Sequence, residues 1–315
     1  MRETAEDRPV GAIIDRLQGL LMFPDDPVFL LSMVVATLGR SSELDALFAS
    51  LAAFGRRDFE VILVDQNKDD RLVPIVAAWA DRLMIRHLRT DRPGVCRARN
   101  LGAAEARGTW LIFPDDDCWY PADLLKRFDA ISAAEPADFY CGRAVNAEGE
   151  TIMGRFSLEP QPIVRDNVWT TLIEWMLFVR REAFARAGGF DARIGPGSGT
   201  PWGAYEVQDL ALNLLSNGAK GRYDPALAGH HPDDRLLAET PDGARKMRIY
   251  GAGLGYVMRK HGYRFVDYLP HLLRPIAGMA VFALTGRSAR ARRSREILAG
   301  RWSGWRSAPS GTTIS

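Results

Sequence analysis

The feature that most constrains this chain is a run of short apolar segments alternating with stretches of helical period. Residues 29–35 (FLLSMVV), 60–64 (EVILV), 84–88 (MIRHL) and 110–113 (WLIF) read as strands, several of them nearly continuous in hydrophobicity. Strands apolar on both faces belong to parallel sheets covered by helices on either side. The intervening segments fit: Leu44, Leu47, Phe48 and Leu51 recur at helical spacing, and Leu124, Leu125 and Phe128 do so after the fourth strand. The expectation is an α/β fold with a doubly wound, mostly parallel sheet and a ligand site at the carboxyl ends of its strands.

Beyond Phe139 the alternation weakens. Residues 169–180 (WTTLIEWMLFVR) read as either helix or strand. Gly188, Gly189, Gly195, Gly197, Gly199 and Gly203, with Pro196 and Pro201, mark a loop. A helix from about Val207 to Ser216 follows, with Leu210, Leu214 and Leu215 on one face and Gly218 as its stop. At the amino end, Ile13, Ile14, Leu17, Leu20 and Leu21 fit a short amphipathic helix.

Hydrophobic residues at 47% and charged residues at 25% describe an ordinary folded protein, which excludes wholesale disorder. A formal net charge of +2 is too small to argue for nucleic acid. Cys96, Cys118 and Cys141 form neither a disulfide framework nor a zinc motif, which fits a reducing cytoplasm. The first residues mix acids with bases and lack the apolar core of a secretory signal. The longest apolar stretch, Ile276 to Leu284, falls well short of the roughly 20 residues a spanning helix needs. It leads into seven arginines between Arg287 and Arg306 with one acid, Glu296. Two readings of this end stay open: a segment lying in the inner face of a membrane, and a core-packed helix with a solvated basic tail.

The fourth strand runs straight into Asp115, Asp116 and Asp117, in WLIFPDDDCWY. Three adjacent carboxylates repel one another, so a fold keeps them together chiefly where a cation or a hydrogen-bonding ligand compensates. Hard oxygen donors suit Mg²⁺ or Mn²⁺, and alternate residues such as Asp115 and Asp117 can face one side of an extended segment. The alternative is a solvated acidic turn before the helix that begins near Pro121. Asp65 ends the second strand, at the same edge of the sheet.

The runs VVATLGR (34–40), VILVDQN (61–67), RARNLGAAEARGTWLIFPDDD (97–117), GGFD (188–191) and YEVQDL (205–210) together resemble glycosyltransferase family 2. The resemblance covers about residues 30–232. It implies a GT-A fold and an inverting transfer from a nucleotide diphosphate sugar to a hydroxyl of a glycan or lipid-linked acceptor. It also implies a division into an N-terminal extension (1–28), a donor-binding half (29–140), an acceptor-binding and catalytic half (141–235) and a helical C-terminal region (236–315). Ala36, Thr37, Arg40 and Asp65 would then lie against the nucleotide, and Arg97 or Arg99 would approach the donor. The family's D-x-D pattern falls on Asp115 and Asp117, with Asp116 between them. Asp117 would hold the metal, joined by Asp115 and by one histidine of the His230–His231 pair, for which His231 is the choice. Family members present Glu-Asp before the acceptor-side helix, whereas this chain has Glu206 and Val207. Glu206 or Asp209 must then serve as base, and Glu206 is preferred because Asp209 lies beside the apolar stripe. A sugar nucleotidyltransferase is less consistent with the single glycine of VVATLGRSS. A catalytically silent nucleotide- or glycan-binding relative remains the rival that Val207 keeps open.

Overall fold

The computed structural model of the chain describes residues 29–233 and 240–309. The amphipathic pattern around Ile13–Leu21 lies outside the described residues. Strands β1 (Leu31–Thr37), β2 (Phe59–Asp65), β3 (Ile85–Arg89) and β4 (Trp110–Ile112) pair in parallel in the order β3-β2-β1-β4. Helices α1 (Glu43–Ala52), α2 (Val73–Trp79) and α3 (Val95–Ala104) connect them. All seven residues of β2 are buried, including Glu60, whose carboxylate accepts from Ser32 Oγ and the Arg107 N–H, each at 2.7 Å. Helix α3 can lie directly on this sheet because Gly102 has no side chain: a Cβ there would fall 2.4 Å from Val34 and 3.1 Å from Val64. That close seat brings Arg99, three residues earlier, to the carboxyl edge of β4.

The second half of the sheet is mixed. After α4 (Leu124–Ala134), strand β5 (Phe139–Val145) runs parallel to β8 (Gly221–His230), while β6 (Gln161–Ile163) pairs antiparallel with β8. Strand β7 (Leu177–Arg180) lies antiparallel between β4 and β5 and so joins the two halves into one eight-stranded sheet. The segment 169–180, read as helix or strand, is a turn region, a 3₁₀ turn at Glu174–Met176 and then β7. Helix α5 (Arg181–Arg186) and the glycine-rich loop follow, and α6 (Glu206–Ser216) starts one residue earlier than the apolar period suggested.

The carboxyl end of the described chain is three 20-residue helices, α7 (Pro241–Lys260), α8 (Phe265–Leu284) and α9 (Ser288–Ser307). Helices α7 and α9 meet backbone to backbone through glycines on both sides. A Cβ on Gly300 or Gly304 would lie 1.9 Å from the carbonyl oxygen of Arg248 or Ala252, and one on Gly255 would lie 2.3 Å from that of Arg301. Helix α8 contains Pro275, which has no N–H to offer the carbonyl of His271 four residues back; the Arg301 guanidinium of α9 donates to that oxygen instead. No described helix is long and apolar enough to cross a membrane.

An ion cluster ties α6 to this helical unit. Asp209, wholly buried, accepts from Lys260 Nζ at 2.9 Å and pairs with His261 Nε2 at 2.7 Å. Lys260 also donates to Asp191 at 2.9 Å. Burial alone would raise the Asp191 pKa, but hydrogen bonds from Arg193 and Lys260 outweigh it and hold the carboxyl well below its ordinary range.

Two outcomes follow. Gly304→Ala should push α7 and α9 apart and lower stability by about 1–3 kcal/mol, read as a shift of the denaturant midpoint. Because the Asp191 pKa is depressed in the folded state, its contribution is complete above the unfolded value of about 3.9 and disappears as pH falls below it. The stability gap between wild type and Asp191→Asn should therefore stay constant through neutral pH and shrink below about pH 4; a gap that persists in acid would contradict this account.

Candidate nucleotide and cation site

The parallel strands end together. Thr37 pairs with Asp65 at the ends of β1 and β2, and the three acids follow β4 alongside. Like charges this close must be separated by partners, and each aspartate finds a different set. Asp116 turns back to β1, accepting from Thr37 Oγ1 at 2.7 Å and Arg40 Nη1 at 2.6 Å. Asp115 accepts from Arg99 Nη2 at 2.6 Å. Asp117 pairs with Arg40 and lies 3.1 Å from His231 Nε2. Burial raises the Asp115 pKa, with Arg99 acting against it. Asp116 is raised by burial too, offset in part by Thr37 and Arg40. At Asp117 burial is outweighed by His231 and Arg40, which lower it.

One carboxylate oxygen each from Asp115 and Asp117 and one ring nitrogen of His231 lie within 4.8 Å of one another. Two oxygens and one imidazole make a donor set that could hold a divalent cation such as Mn²⁺ or Mg²⁺ and leave positions for phosphate oxygens. The imidazole is held in place for this: Nδ1 sits 2.8 Å from the Pro232 carbonyl and Nε2 faces Asp117, so a cation binding there would replace the Nε2 proton while Nδ1 keeps its hydrogen bond. The ring also stacks on Trp175, with centroids 5.9 Å apart. His230, on the other side of the extended chain, stacks on Trp119 at 5.4 Å and meets the Asn146 carbonyl at 2.8 Å.

Asp65 is fully buried at this edge. One oxygen takes the Asn67 backbone N–H and Nδ2, each at 2.8 Å, and the other lies 2.9 Å from His87 Nε2 and 3.6 Å from Arg89 Nε. Ala36 is half-buried on β1 beside it. Of the two arginines in RARN, Arg97 is exposed and donates to the Pro93 carbonyl at 3.0 Å, away from the acids. Arg99 is 1% exposed and bridges the halves of the molecule, from Asp115 to Glu206 Oε1 at 3.5 Å. Burial opposes its charge, but Asp115, Glu174 and Glu206 outweigh that and keep the guanidinium protonated.

Glu206 opens α6 after Tyr205, which adopts a left-handed φ of 75°. A non-glycine residue held there stores of order 1–3 kcal/mol of strain, and neighbours must enforce it. The Arg301 guanidinium of α9 lies close enough to act on the Tyr205 hydroxyl electrostatically, and the Tyr205 ring packs 6.1 Å from Trp169. Burial raises the Glu206 pKa, with Arg99 opposing. Asp209, three residues on, faces Lys260 and His261 rather than Arg99. Val207 is in the core. Sequence reasoning missed Glu174. It stands half-buried on the 3₁₀ turn, its pKa raised by burial and then by the Glu206 charge, with Arg99 opposing. A lone acid inside the apolar run TLIEWMLF was the available signal. The glycine-rich loop is anchored: Trp202 stacks on Tyr256 at 3.7 Å and donates to Ser307 Oγ at 3.1 Å.

Comparison with known proteins agrees with this geometry. The chain is 28% identical over 195 residues to an uncharacterized glycosyltransferase of Haemophilus influenzae, covering 59% of this chain and 62% of that one. It is 33% identical over 173 residues to a PGL/p-HBAD biosynthesis glycosyltransferase of Mycobacterium tuberculosis, covering 53% and 64%. It thus spans less than two thirds of the length of these relatives. Among solved structures, the mannosyltransferase PcManGT of Pyrobaculum calidifontis, in complex with GDP-Man and Mn²⁺, superimposes with a TM-score of 0.62 at 17% identity over 94% of both chains. TarS residues 1–349 of S. aureus with UDP-GlcNAc gives 0.54 at 14% identity, over 90% of this chain and 94% of that one. The sequence profile described as "Glycosyl transferase family 2" matches residues 32–196, more than half of the chain, and the protein belongs to that family.

Proposed function

We propose that the chain transfers a sugar, with inversion, from a nucleotide diphosphate sugar to a hydroxyl group, assisted by a divalent cation at Asp115, Asp117 and His231. The observation that carries this reading is the convergence of those three ligand atoms within 4.8 Å at the carboxyl edge of the parallel strands. Thr37, Arg40, Asp65 and Asp116 line the same edge and would contact the nucleotide. Members of the fold crystallised with UDP-GlcNAc and with GDP-Man and Mn²⁺ make a nucleoside diphosphate sugar and Mn²⁺ or Mg²⁺ the expected ligands. When bound, such a cation stabilises the negative charge that develops on the departing diphosphate.

The residues of the chain supply the rest. Arg40 and Arg99 set the orientation of the three aspartates. Glu206, on the acceptor side of Arg99, takes the proton of the attacking hydroxyl; burial raises its pKa and so strengthens it as a base. Glu174 stands beside it as a second carboxylate. The acceptor is a hydroxyl of a glycan or a lipid-linked sugar. Val207 favours one competing reading, a relative that binds without turnover.

Two measurements test this. Melting temperature measured against a panel of nucleoside diphosphates should rise with one of them in the presence of Mn²⁺. Asp117→Ala should abolish that rise; no shift with any nucleotide in wild type would remove the donor-site assignment. Glu206→Gln should lower turnover by about 10²- to 10⁴-fold while the nucleotide-induced melting shift survives. An active Glu206→Gln enzyme would transfer the role to Glu174, and inactive wild type with an intact shift would favour the silent relative.

A further inference from the structure

Helix α8 buries one side and exposes another. Tyr268, Leu272 and Pro275 are turned inward, and Tyr268 stacks on Trp305 of α9 with ring centroids 4.4 Å apart. Val266, Leu269, Leu273, Ile276, Val281 and Leu284 are exposed, Leu284 to 88%. At 3.6 residues per turn these six fall on one arc of the helix, opposite the buried residues. Their steps of three, four and five residues leave no charged side chain within the stripe; Asp267 and Arg274 stand at its edge. A contiguous apolar face on a folded protein marks a surface that something covers.

The charge around the face identifies the cover. Between Asp267 and Glu296 the chain has no carboxylate, while Arg274, Arg287, Arg290, Arg292, Arg293 and Arg295 fall in that interval. Arg287 follows directly on the exposed end of α8. Arg274, at the edge of the stripe, lies among positive neighbours: burial and then the charges of Arg155 and Arg301 lower its pKa. Two copies meeting through this patch about a two-fold axis would set arginine against arginine. An apolar stripe edged by arginine matches instead the interface of a bilayer bearing anionic headgroups, where a helix lies in the plane with its apolar side immersed. Helix α8 does not meet the requirement for a spanning segment.

We infer that the exposed face of α8 docks on an anionic phospholipid surface, with Leu273, Ile276, Val281 and Leu284 entering the acyl boundary and Arg274 and Arg287 meeting the phosphates. This goes beyond the transferase reading and does not depend on it. Its consequence for the site is geometric. The Trp169 ring lies 6.1 Å from both His271 of α8 and Tyr205, so the docked helix would sit against the segment that leads into Glu206.

The test is flotation of the full chain with vesicles of phosphatidylcholine alone and of phosphatidylcholine mixed with phosphatidylglycerol. Wild type should float with the mixed vesicles and not with phosphatidylcholine. The pair Leu273→Glu and Ile276→Glu, on exposed positions, should weaken partitioning by about ten-fold or more with an unchanged melting temperature. Arg274→Gln and Arg287→Gln should each cost roughly five-fold. The inference is overturned if wild type ignores the mixed vesicles. It is overturned equally if the α8 pair binds as wild type does while Leu17→Glu with Leu20→Glu abolishes binding, which would locate the contact in residues 1–28. Light scattering that shows a dimer dispersed by the α8 pair, without vesicle binding, would make the occupant a second copy.

Discussion

A single buried guanidinium holds the two halves of this protein in relation to each other. Arg99 comes from the parallel half of the sheet and meets Asp115 after β4 and Glu206 at the start of α6. A charge so deeply buried is tolerated only with compensating carboxylates, and removing one partner from such a set typically costs about 3–5 kcal/mol. The arrangement therefore fixes more than stability. It sets the distance between the acids that follow β4 and the Glu206 carboxylate, and the seat of α3 on Gly102 fixes Arg99 itself.

The C-terminal helices reach the same site from the other side. The glycine contact between α7 and α9 puts Arg301 where it can satisfy the carbonyl orphaned by Pro275 and set its charge near the Tyr205 hydroxyl. Tyr205 is in the left-handed region and precedes Glu206. Lys260 and His261, at the end of α7, meanwhile hold Asp209 one turn further along α6. The orientation of the proposed base is thus set by an extension outside the segment that carries the family motifs.

The sequence showed most of the first half because its signals there are local. Apolar runs such as VILV and WLIF are buried in parallel strands, and their ends carry the acids wherever the helices cross over. That at most one of two adjacent histidines would face the acids was legible because side chains alternate along extended chain; that it is His231 is a tertiary fact. Other contacts were hidden since they join distant parts of the chain. Nothing local marks Arg99 over Arg97 beyond helical phase, and Asp209 reads as an acid near a catalytic helix until Lys260 and His261 are seen to enclose it. Gly251, Gly255, Gly300 and Gly304 show their spacing plainly, but which helices they join is a tertiary fact. Glu174 was obscured because a 3₁₀ turn followed by a short strand has no period to read.

The resemblance implies an acidic pair at 206 and 207, of which this chain keeps Glu206 and has Val207 in place of the second acid. Moving one residue along a helix turns a side chain by about 100°, so an acid at 206 cannot point where one at 207 would. The carboxylate at 206 is accommodated by two features. Gly195 leaves room for the carboxyl group, since a Cβ there would stand 3.2 Å from the Glu206 carboxyl carbon and from Oε1, and Arg99 gives the group a counter-charge. The position that Val207 takes is filled by core packing rather than by a second acid. A larger residue at 195 would press on the carboxyl group, and its backbone φ of 91° already disfavours any side chain there. The glycine of the loop and the acid of the helix are therefore coupled: a side chain at position 195 would require the Glu206 carboxyl group and Cys96 Sγ, each 3.2 Å from its Cβ, to give way.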